Sequence, residues 1–336
     1  MNEKLRRIGD VKVPAVGLGC MNLSHAYGNP PPPEVGEKVL LKAIEVGYVH
    51  FDTAALYGFG RNESLLGPVL KPFRDQIYLA SKCGMTGVNG VRTVDGRPDT
   101  IKRTCDEALQ RLQTDVIDLY YLHRIDPRVP LGDTVGAMVE LIDAGKIKAI
   151  GLSEVSADTI RKVHAIHPVA ALQSEYSLWS RNAEVAALNA CAELGIAYVA
   201  FSPLARGFLA DLRLDPAEFA EKDIRRGMPR FQEPHFSKNV ALRDEFGRIA
   251  GRFGCTPAQL SLAWVLQRAP HVHVIPGTTS AAHVAENFGA LEVGLDDTVM
   301  AELDELINVK TVAGARYSAA AQADIDTELL PGEPLA

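Results

Sequence analysis

Eight short apolar segments recur along the chain, each followed by a stretch of helical periodicity, and this alternation limits the possible folds more than any other feature. The segments occupy residues 15–19, 48–52, 77–81, 116–123, 147–153, 170–173, 197–202 and 273–277. Alternating strands and helices build a parallel sheet, either open and doubly wound or closed into a barrel. Eight units favour the closed α/β architecture, a (β/α)8 TIM barrel. The length of 336 residues fits one barrel, so we expect a single domain over residues 1–336.

Two additions to the barrel are predicted from local signals. Residues 5–8 and 11–13 flank a turn-prone Gly-Asp pair, which predicts a short N-terminal β-hairpin. The long interval between the seventh and eighth strands contains a loop rich in Pro, Gly and Arg and an extra helix near residues 239–253, which predicts an insertion. Among the helices, Asp99 is a predicted N-cap, and Thr256 followed by Pro257 predicts another helix start.

Charge and cysteine content limit the classes of partner. Lys and Arg total 35 against 42 Asp and Glu, and the net charge of −7 argues against nucleic acid and anionic membranes as partners. The five cysteines form no CxxC pair and no metal-ligand spacing, so we expect no metal site and a reducing compartment. With neither an apolar leader nor a membrane-spanning run in the sequence, we expect a cytoplasmic protein. No heptad repeat indicates an oligomeric state.

Chemistry-bearing side chains stand at the ends of neighbouring predicted strands. Asp52 ends the second strand, Lys82 follows the third and His123 ends the fourth, while Tyr57 lies on the loop after Asp52. Because the carboxyl ends of barrel strands meet at one mouth, these side chains are expected to lie together. Each alone has an ordinary structural explanation, such as a cap, a surface charge or a core residue.

Together the four residues form a proton-donor set. Lys82 beside Tyr57 is expected to lower the pKa of a phenol that starts near 10, with Asp52 holding the lysine charged. A carbonyl that accepts a hydride develops negative charge on oxygen, which Tyr57 could protonate while His123 orients the carbonyl. The hydride itself must come from a cofactor.

The motifs around these residues resemble those of the aldo-keto reductases. The matching segments are FDTAALYGFGRNESLLG, LASKCG and DLYYLHRID, followed by GLSEVS, LQSEYSLW, FSPLARGFL, TPAQLSLAWVL and IPGTTSAAHVAENFGA. The similarity extends from Leu5 to about Tyr317 and is greatest to the branch with bacterial aldo/keto reductases and plant perakine-reductase-like and auxin-induced-like proteins. It implies the catalytic tetrad Asp52, Tyr57, Lys82 and His123, and reversible NADPH-dependent reduction of aldehydes and ketones to alcohols.

The same resemblance implies a set of cofactor-binding residues. Ser153 and Gln173 would hold the nicotinamide carboxamide, and Phe201 would stack on its ring. The full set is Gly19, Cys20, Met21, Asp52, Ser153, Gln173, Phe201, Ser202, Leu204, Gly207, Gly277, Thr278, Thr279, His283, Glu286 and Asn287. His283 stands where many relatives carry the Arg that grips the 2′-phosphate, so NADPH/NADP+ is expected with weaker discrimination, and NADH is possible.

The substrate is expected to be a small carbonyl compound, with Met21, Tyr27, Tyr57, His123 and Trp179 as candidate contacts. Met21, Tyr27 and Trp179 fit ordinary packing equally well. The sequence does not single out one aldehyde or ketone, because loops at the barrel mouth set the pocket.

Three other functions are compatible with part of this pattern. A catalytically weak, cofactor-binding regulatory subunit, like the potassium-channel β-subunits, shares the fold and tetrad. A Schiff-base lyase would use Lys82 as nucleophile, but Asp52 keeps that lysine protonated. A metal-dependent hydrolase lacks paired histidines at the first strand end. The GLGCMN segment at residues 17–22 begins like a dinucleotide fingerprint but lacks its third glycine, so a turn at the barrel mouth is preferred.

Overall fold

The computed structural model describes residues 4–88, 91–210 and 213–333. The strands are β1 (Leu5–Ile8), β2 (Val11–Pro14), β3 (Leu18–Gly19), β4 (His50–Asp52), β5 (Tyr78–Cys83), β6 (Met85–Val88), β7 (Val91–Val94), β8 (Leu119–Leu122), β9 (Ile150–Ser153), β10 (Val169–Glu175), β11 (Ala197–Phe201) and β12 (Val272–Val274). The α-helices are α1 (Pro33–Val46), α2 (Arg61–Leu70), α3 (Pro98–Leu112), α4 (Leu131–Asp143), α5 (Ala157–Ile166), α6 (Ala187–Leu194), α7 (His235–Phe253), α8 (Pro257–Gln267), α9 (Ala281–Phe288), α10 (Asp297–Leu306) and α11 (Ala319–Gln322).

Eight of the strands form one parallel sheet that closes on itself. Their order is β3, β4, β5, β8, β9, β10, β11, β12. The two edges meet through parallel bridges from Val16 to Val274 and from Gly19 to Gly277. The amide of Val274 donates to the carbonyl of Ala15 over 2.9 Å, which joins the last strand to the chain before the first. The predicted (β/α)8 barrel is confirmed, and each apolar segment found in the sequence contributes a barrel strand.

The helices around the barrel begin where local chemistry favours them, with one difference from the sequence analysis. Thr256 caps α8 as predicted, and Gln259 completes a capping box with it. Asp99, in contrast, is not the N-cap of α3, because Pro98 occupies the first helical position and Arg97 the cap. Asp99 lies inside the first turn, where its carboxylate interacts favourably with the helix dipole.

The N-terminal hairpin closes the end of the barrel opposite the mouth. Strands β1 and β2 pair in antiparallel register, as predicted. Ile8 and Val13 are fully buried and pack with Tyr78, Leu119 and Ala197 at the base of the barrel. The hairpin therefore covers the base of the barrel.

Three segments surround the mouth. The predicted insertion after β11 includes several short 3₁₀ helices and α7. The antiparallel pair β6 and β7 follows the third barrel strand, and α11 belongs to a C-terminal tail, and neither element was anticipated from the sequence. In the GLGCMN segment a 3₁₀ helix at Met21–Leu23 follows β3, as expected for a turn at the mouth. No helix in the described ranges is both long and apolar enough to cross a membrane.

Candidate active site

Strand register places three of the predicted site residues on neighbouring strands, each offset by two residues from the one before. Asp52 ends β4 and pairs with Ala80, two residues before Lys82 on β5. Lys82 in turn pairs with Tyr121, two residues before His123, which directly follows β8. Because side chains two residues apart on a strand point to the same side, the three side chains project toward the mouth together. Tyr57 reaches them from the turn after β4.

Lys82 is the centre of the hydrogen-bond network at the floor of the mouth. Its Nζ donates to Asp52 Oδ1 over 2.5 Å, to the carbonyl oxygen of Thr53 over 2.9 Å and to the Tyr57 hydroxyl over 3.2 Å. Gln173 Nε2 donates to the other carboxylate oxygen of Asp52 over 2.7 Å. The rings of Tyr57 and His123 lie edge to face with centroids 6.0 Å apart. The structure thus brings together the four residues that the sequence analysis grouped.

The ammonium of Lys82 is charged although it is wholly buried. Burial lowers the pKa of Lys82, but the charge of Asp52 and the hydrogen bonds to Asp52 and Tyr57 raise it further, and the balance lies above the ordinary value. A charged lysine beside a phenol favours the phenolate form.

The pKa of Tyr57 differs from the sequence expectation. Burial raises the pKa of the phenol, while Lys82 acts in the opposite direction and offsets burial only in part. The net pKa lies above 10, not below it, so the hydroxyl keeps its proton at neutral pH. Burial, followed by the positive charges of Arg124 and Lys82, holds the pKa of His123 well below 6.5. His123 is therefore a neutral ring at neutral pH.

A cavity of about 830 Å³ opens above these four residues. Most of the predicted cofactor residues line it, namely Gly19, Met21, Asp52, Ser153, Gln173, Phe201, Ser202, Leu204, Gly207, Gly277, Thr278, His283, Glu286 and Asn287. The predicted substrate contacts Met21, Tyr27, Tyr57 and His123 line it as well. The cavity runs from the tetrad to the start of α9.

Three of the predicted contact residues, Cys20, Thr279 and Trp179, do not line this cavity. The side chain of Cys20 is fully buried beneath the mouth, where its Sγ contacts the carbonyl oxygen of Leu18. Thr279 is exposed and lies outside the cavity lining. Trp179 stacks on Phe208 with ring centroids 4.4 Å apart, which fits the packing role that the sequence analysis left open for it.

The polar groups along the cavity fit a nicotinamide dinucleotide. Near the tetrad, Ser153 offers a hydroxyl, and Gln173 keeps its amide oxygen free of the contact to Asp52, so both can bind a carboxamide. Phe201 offers an aromatic face. At the other end, the first turn of α9, capped by Ser280, presents backbone N–H groups suited to phosphate.

The structure also reveals cavity residues that the sequence analysis did not name. Arg92, Arg124, Arg206 and Tyr317 all line the cavity. They come from β7, the loop after β8, the insertion and the tail, and sequence spacing does not reveal that these segments meet. Arg124 directly follows His123, which is the one local signal that could have identified it.

Contacts across the mouth join these segments in pairs. Tyr27 bridges to Asp223, and the amide of Ile224 donates to the carbonyl of Ala26 over 2.9 Å, which ties the first loop to the insertion. On the other side Arg92 forms an ion pair with Asp324 of the tail. Within the described ranges, no group of three or more His, Cys, Asp or Glu side chains is arranged to hold a metal ion.

The chain is similar to proteins of one known family. The model of the Aldo/keto reductase family matches residues 15–308. The aldo-keto reductase yakc of Schizosaccharomyces pombe, whose name specifies NADP(+), is 41% identical over 340 residues, covering 98% of this chain and 100% of that protein.

Solved structures share the fold. The glycerol dehydrogenase of Gluconobacter oxydans superimposes with a TM-score of 0.83 at 26% identity, covering 91% of this chain and 95% of that chain. An aldo-keto reductase of Klebsiella pneumoniae in complex with NADPH gives a TM-score of 0.72 at 28% identity, with 91% and 95% covered. On the strength of the family match and the yakc similarity, the chain belongs to the aldo/keto reductase family and is an NAD(P)H-dependent oxidoreductase.

Proposed function

We propose that this protein reversibly reduces aldehydes and ketones to alcohols with NADPH, using Tyr57 as the proton donor. The observation that carries the proposal is the position of Lys82 Nζ, which donates to both Asp52 and the Tyr57 hydroxyl at the floor of the cavity. A phenol with a charged lysine at 3.2 Å can release its proton to a developing alkoxide, because the phenolate left behind is paired with the ammonium.

His123 and Tyr57 are proposed to have different roles at the substrate oxygen. The neutral ring of His123 carries one N–H, which can donate to the carbonyl oxygen and orient it. Tyr57 remains protonated at neutral pH and can donate to the same oxygen. When bound, the reduced nicotinamide supplies the hydride that the carbonyl carbon accepts. Asp52 keeps Lys82 charged, and Gln173 holds Asp52 in place over 2.7 Å.

The cofactor is proposed to extend along the cavity from Ser153 and Gln173 to α9. Ser153 and Gln173 would bind the carboxamide, Phe201 would cover one ring face, and Ser202, Leu204 and Gly207 would follow the pyrophosphate. Thr278, His283, Glu286 and Asn287 would surround the adenosine end. Met21 and Tyr27 would border the substrate.

NADPH is proposed as the preferred cofactor, with a modest margin over NADH. The yakc protein is named for NADP(+), and the Klebsiella structure holds NADPH. In this chain the 2′-phosphate would meet His283, which lacks the guanidinium fork of Arg. His283→Arg is expected to raise the ratio of kcat/KM for NADPH over NADH by about tenfold, the effect of one charge-assisted contact. An unchanged ratio would show that residue 283 does not contact the phosphate.

The reductase proposal is tested by following NADPH absorbance with 4-nitrobenzaldehyde as substrate. Wild type should turn over, and Tyr57→Phe should lose at least a hundredfold in kcat because no proton donor remains. Cofactor affinity, measured by fluorescence titration with NADPH, should change little. Tyr198→Phe is the matched control, since the buried Tyr198 hydroxyl has no hydrogen-bond partner in the described chain and lies outside the cavity.

The possible outcomes distinguish a reductase that uses Tyr57 from a cofactor-binding regulatory subunit. Activity in the wild type and in Tyr198→Phe, but not in Tyr57→Phe, supports Tyr57 as the proton donor. Equal activity in Tyr57→Phe would overturn that role. NADPH binding without turnover of any aldehyde would favour a cofactor-binding regulatory subunit instead.

A further inference from the structure

We propose that Arg124 forms a carboxylate-binding subsite beside the tetrad, so that the preferred substrates are aldehydes or ketones that carry a carboxylate near the carbonyl. This inference rests on the proposed reductase function for its substrate class. The subsite itself is a feature of the cavity, and its existence can be measured without turnover.

Arg124 differs from the other cavity arginines whose partners are known. Arg92 is paired with Asp324, Arg206 with Glu175 over 2.5 Å and Arg225 with Asp223 over 2.7 Å. Arg124 lines the same cavity but has no acidic partner within 4.0 Å among the residues that the structure describes. Its positive charge is therefore not neutralised by an ion pair with any residue in the described ranges.

The hydrogen bonds of Arg124 hold the guanidinium in place but use only some of its N–H donors. Nη1 donates to the carbonyl oxygen of His123 over 2.6 Å and to Ser153 Oγ over 3.2 Å. Nε is buried and unpaired, and Nη2 makes no hydrogen bond to another described residue. A guanidinium has five N–H donors, and buried N–H groups without an acceptor are costly. A ligand oxygen in the cavity would supply an acceptor for Nη2, which has none among the described residues.

The charges around Arg124 favour an anionic ligand. Lys82 is paired with Asp52, His123 is neutral at neutral pH, and Arg92 is paired with Asp324. Arg124 therefore adds a positive charge beside the tetrad that no acidic side chain in the described ranges pairs. A carboxylate is a planar anion that accepts charge-assisted hydrogen bonds from a guanidinium.

The place of the subsite sets the distance between the two functional groups of the substrate. Arg124 is held by the backbone of His123, the residue proposed to orient the reacting carbonyl, and by Ser153 at the nicotinamide end. The field of Arg124 also reaches the reacting groups, since it lowers the pKa of His123 and opposes burial at Tyr57. A carboxylate bound there would lie only a few bonds from the carbonyl.

The test compares 3-carboxybenzaldehyde with methyl 3-formylbenzoate, which has similar shape and no charge. Wild type should show at least tenfold higher kcat/KM for the acid than for the ester. Arg124→Gln should remove that preference, losing tenfold or more on the acid and less than threefold on the ester. Arg124→Lys should retain part of the preference. Arg248→Gln, which removes an exposed charge on α7, should leave both values unchanged.

A second measurement does not depend on turnover. Benzoate should bind the NADP+-loaded protein by calorimetry, and Arg124→Gln should weaken that binding at least tenfold. If the ester is reduced but the acid is not preferred, or if Arg124→Gln impairs both aldehydes equally, the subsite is overturned while the reductase stands. If neither aldehyde is reduced but benzoate binding requires Arg124, the reductase proposal fails and the subsite stands.

Discussion

Lys82 is wholly buried, and every contact it makes is directed at the chemistry of the site. Its ammonium is bound by Asp52, the Thr53 carbonyl and Tyr57. A buried ion pair of this kind adds little stability compared with apolar residues, because both charges lose their hydration. Removing one partner, however, leaves the other charge buried and unpaired. The pair is therefore best explained by its effect on the Tyr57 proton.

Replacing Lys82 by Met tests both consequences. We expect kcat to fall at least a hundredfold, because the Tyr57 phenolate loses its counter-charge. We also expect the free energy of unfolding to fall by about 3–5 kcal/mol, because Asp52 is left as an uncompensated buried charge. Steady-state kinetics and urea titration measure the two effects. Lys162→Met, which removes an exposed lysine paired with Asp158, is the control and should change neither. A normal kcat in Lys82→Met would show that the reaction does not require Lys82.

At this scale the sequence indicated which candidate side chains lie together, but not what surrounds them. Asp52, Lys82 and His123 were predictable because each follows from its position at a strand end. The net rise in the Tyr57 pKa was not, because it depends on how deeply the phenol is buried. The sequence also left two roles open for Trp179, since only the packed structure shows that Phe208 lies against it.

The C-terminal tail is the element that completes the mouth. Asp326 accepts hydrogen bonds from the Ser156 amide over 3.2 Å, the Ser156 hydroxyl over 2.9 Å and the Thr159 hydroxyl over 2.6 Å, all at the start of α5. Upstream, Tyr317 lines the cavity and donates its hydroxyl proton to Glu175 over 2.8 Å. The tail thus contacts the barrel at two places, at α5 through Asp326 and at the cavity wall through Tyr317.

Asp326→Ala should loosen the tail while leaving the barrel intact. The amides of residues 317–326 are expected to exchange with deuterium at least tenfold faster, since about 2 kcal/mol or more is lost with hydrogen bonds to a charged carboxylate. KM for aldehydes should rise severalfold, with kcat less affected. Hydrogen exchange with mass spectrometry and steady-state kinetics measure these changes. Asp158→Ala on the exposed side of α5 is the control, and unchanged exchange in Asp326→Ala would contradict the anchoring role.

Strands and helices could be predicted from the sequence where a short stretch of residues specifies them. The barrel strands follow from apolar runs, and the start of α8 follows from Thr256 and Pro257. Strands β6 and β7, of four residues each, contain no continuous apolar run, and they and the tail are positioned by contacts between distant parts of the chain, such as Arg92 with Asp324. The periodicity of the sequence does not indicate such contacts.

The barrel as a whole encloses histidines that cannot easily be protonated in the native state. His50 and His273 are fully buried below the site. Burial lowers the pKa of each to about 3, with smaller contributions from nearby positive charges. In the unfolded chain a histidine titrates near pH 6.5. Between about pH 6.5 and 3 the unfolded state therefore binds more protons than the native state, and stability must fall as the pH falls.

Urea titrations at pH 7 and pH 5 measure this dependence. The free energy of unfolding should be lower at pH 5, because histidines protonate only in the unfolded chain at that pH. In His50→Leu the difference between the two pH values should become smaller, since one of these groups is gone. An equal difference in the variant and the wild type would exclude His50 as a source of the acid sensitivity.

The same titrations bear on domain organisation. We propose that residues 1–336 fold as one domain, since the N-terminal hairpin, the insertion and the tail all pack on one barrel. Circular dichroism and tryptophan fluorescence should then report coincident unfolding transitions. Two separated transitions would instead indicate independently folding parts.

The central claim is that hydride passes from the nicotinamide to a carbonyl carbon in this cavity while Tyr57 protonates the oxygen. The most direct measurement uses NADPH deuterated at C4 on the transferred side and mass spectrometry of the product. The account predicts an alcohol with one deuterium on the carbinol carbon and a hydroxyl proton from solvent. An alcohol without carbon-bound deuterium, or deuterated NADPH left unconsumed with every aldehyde, would contradict it.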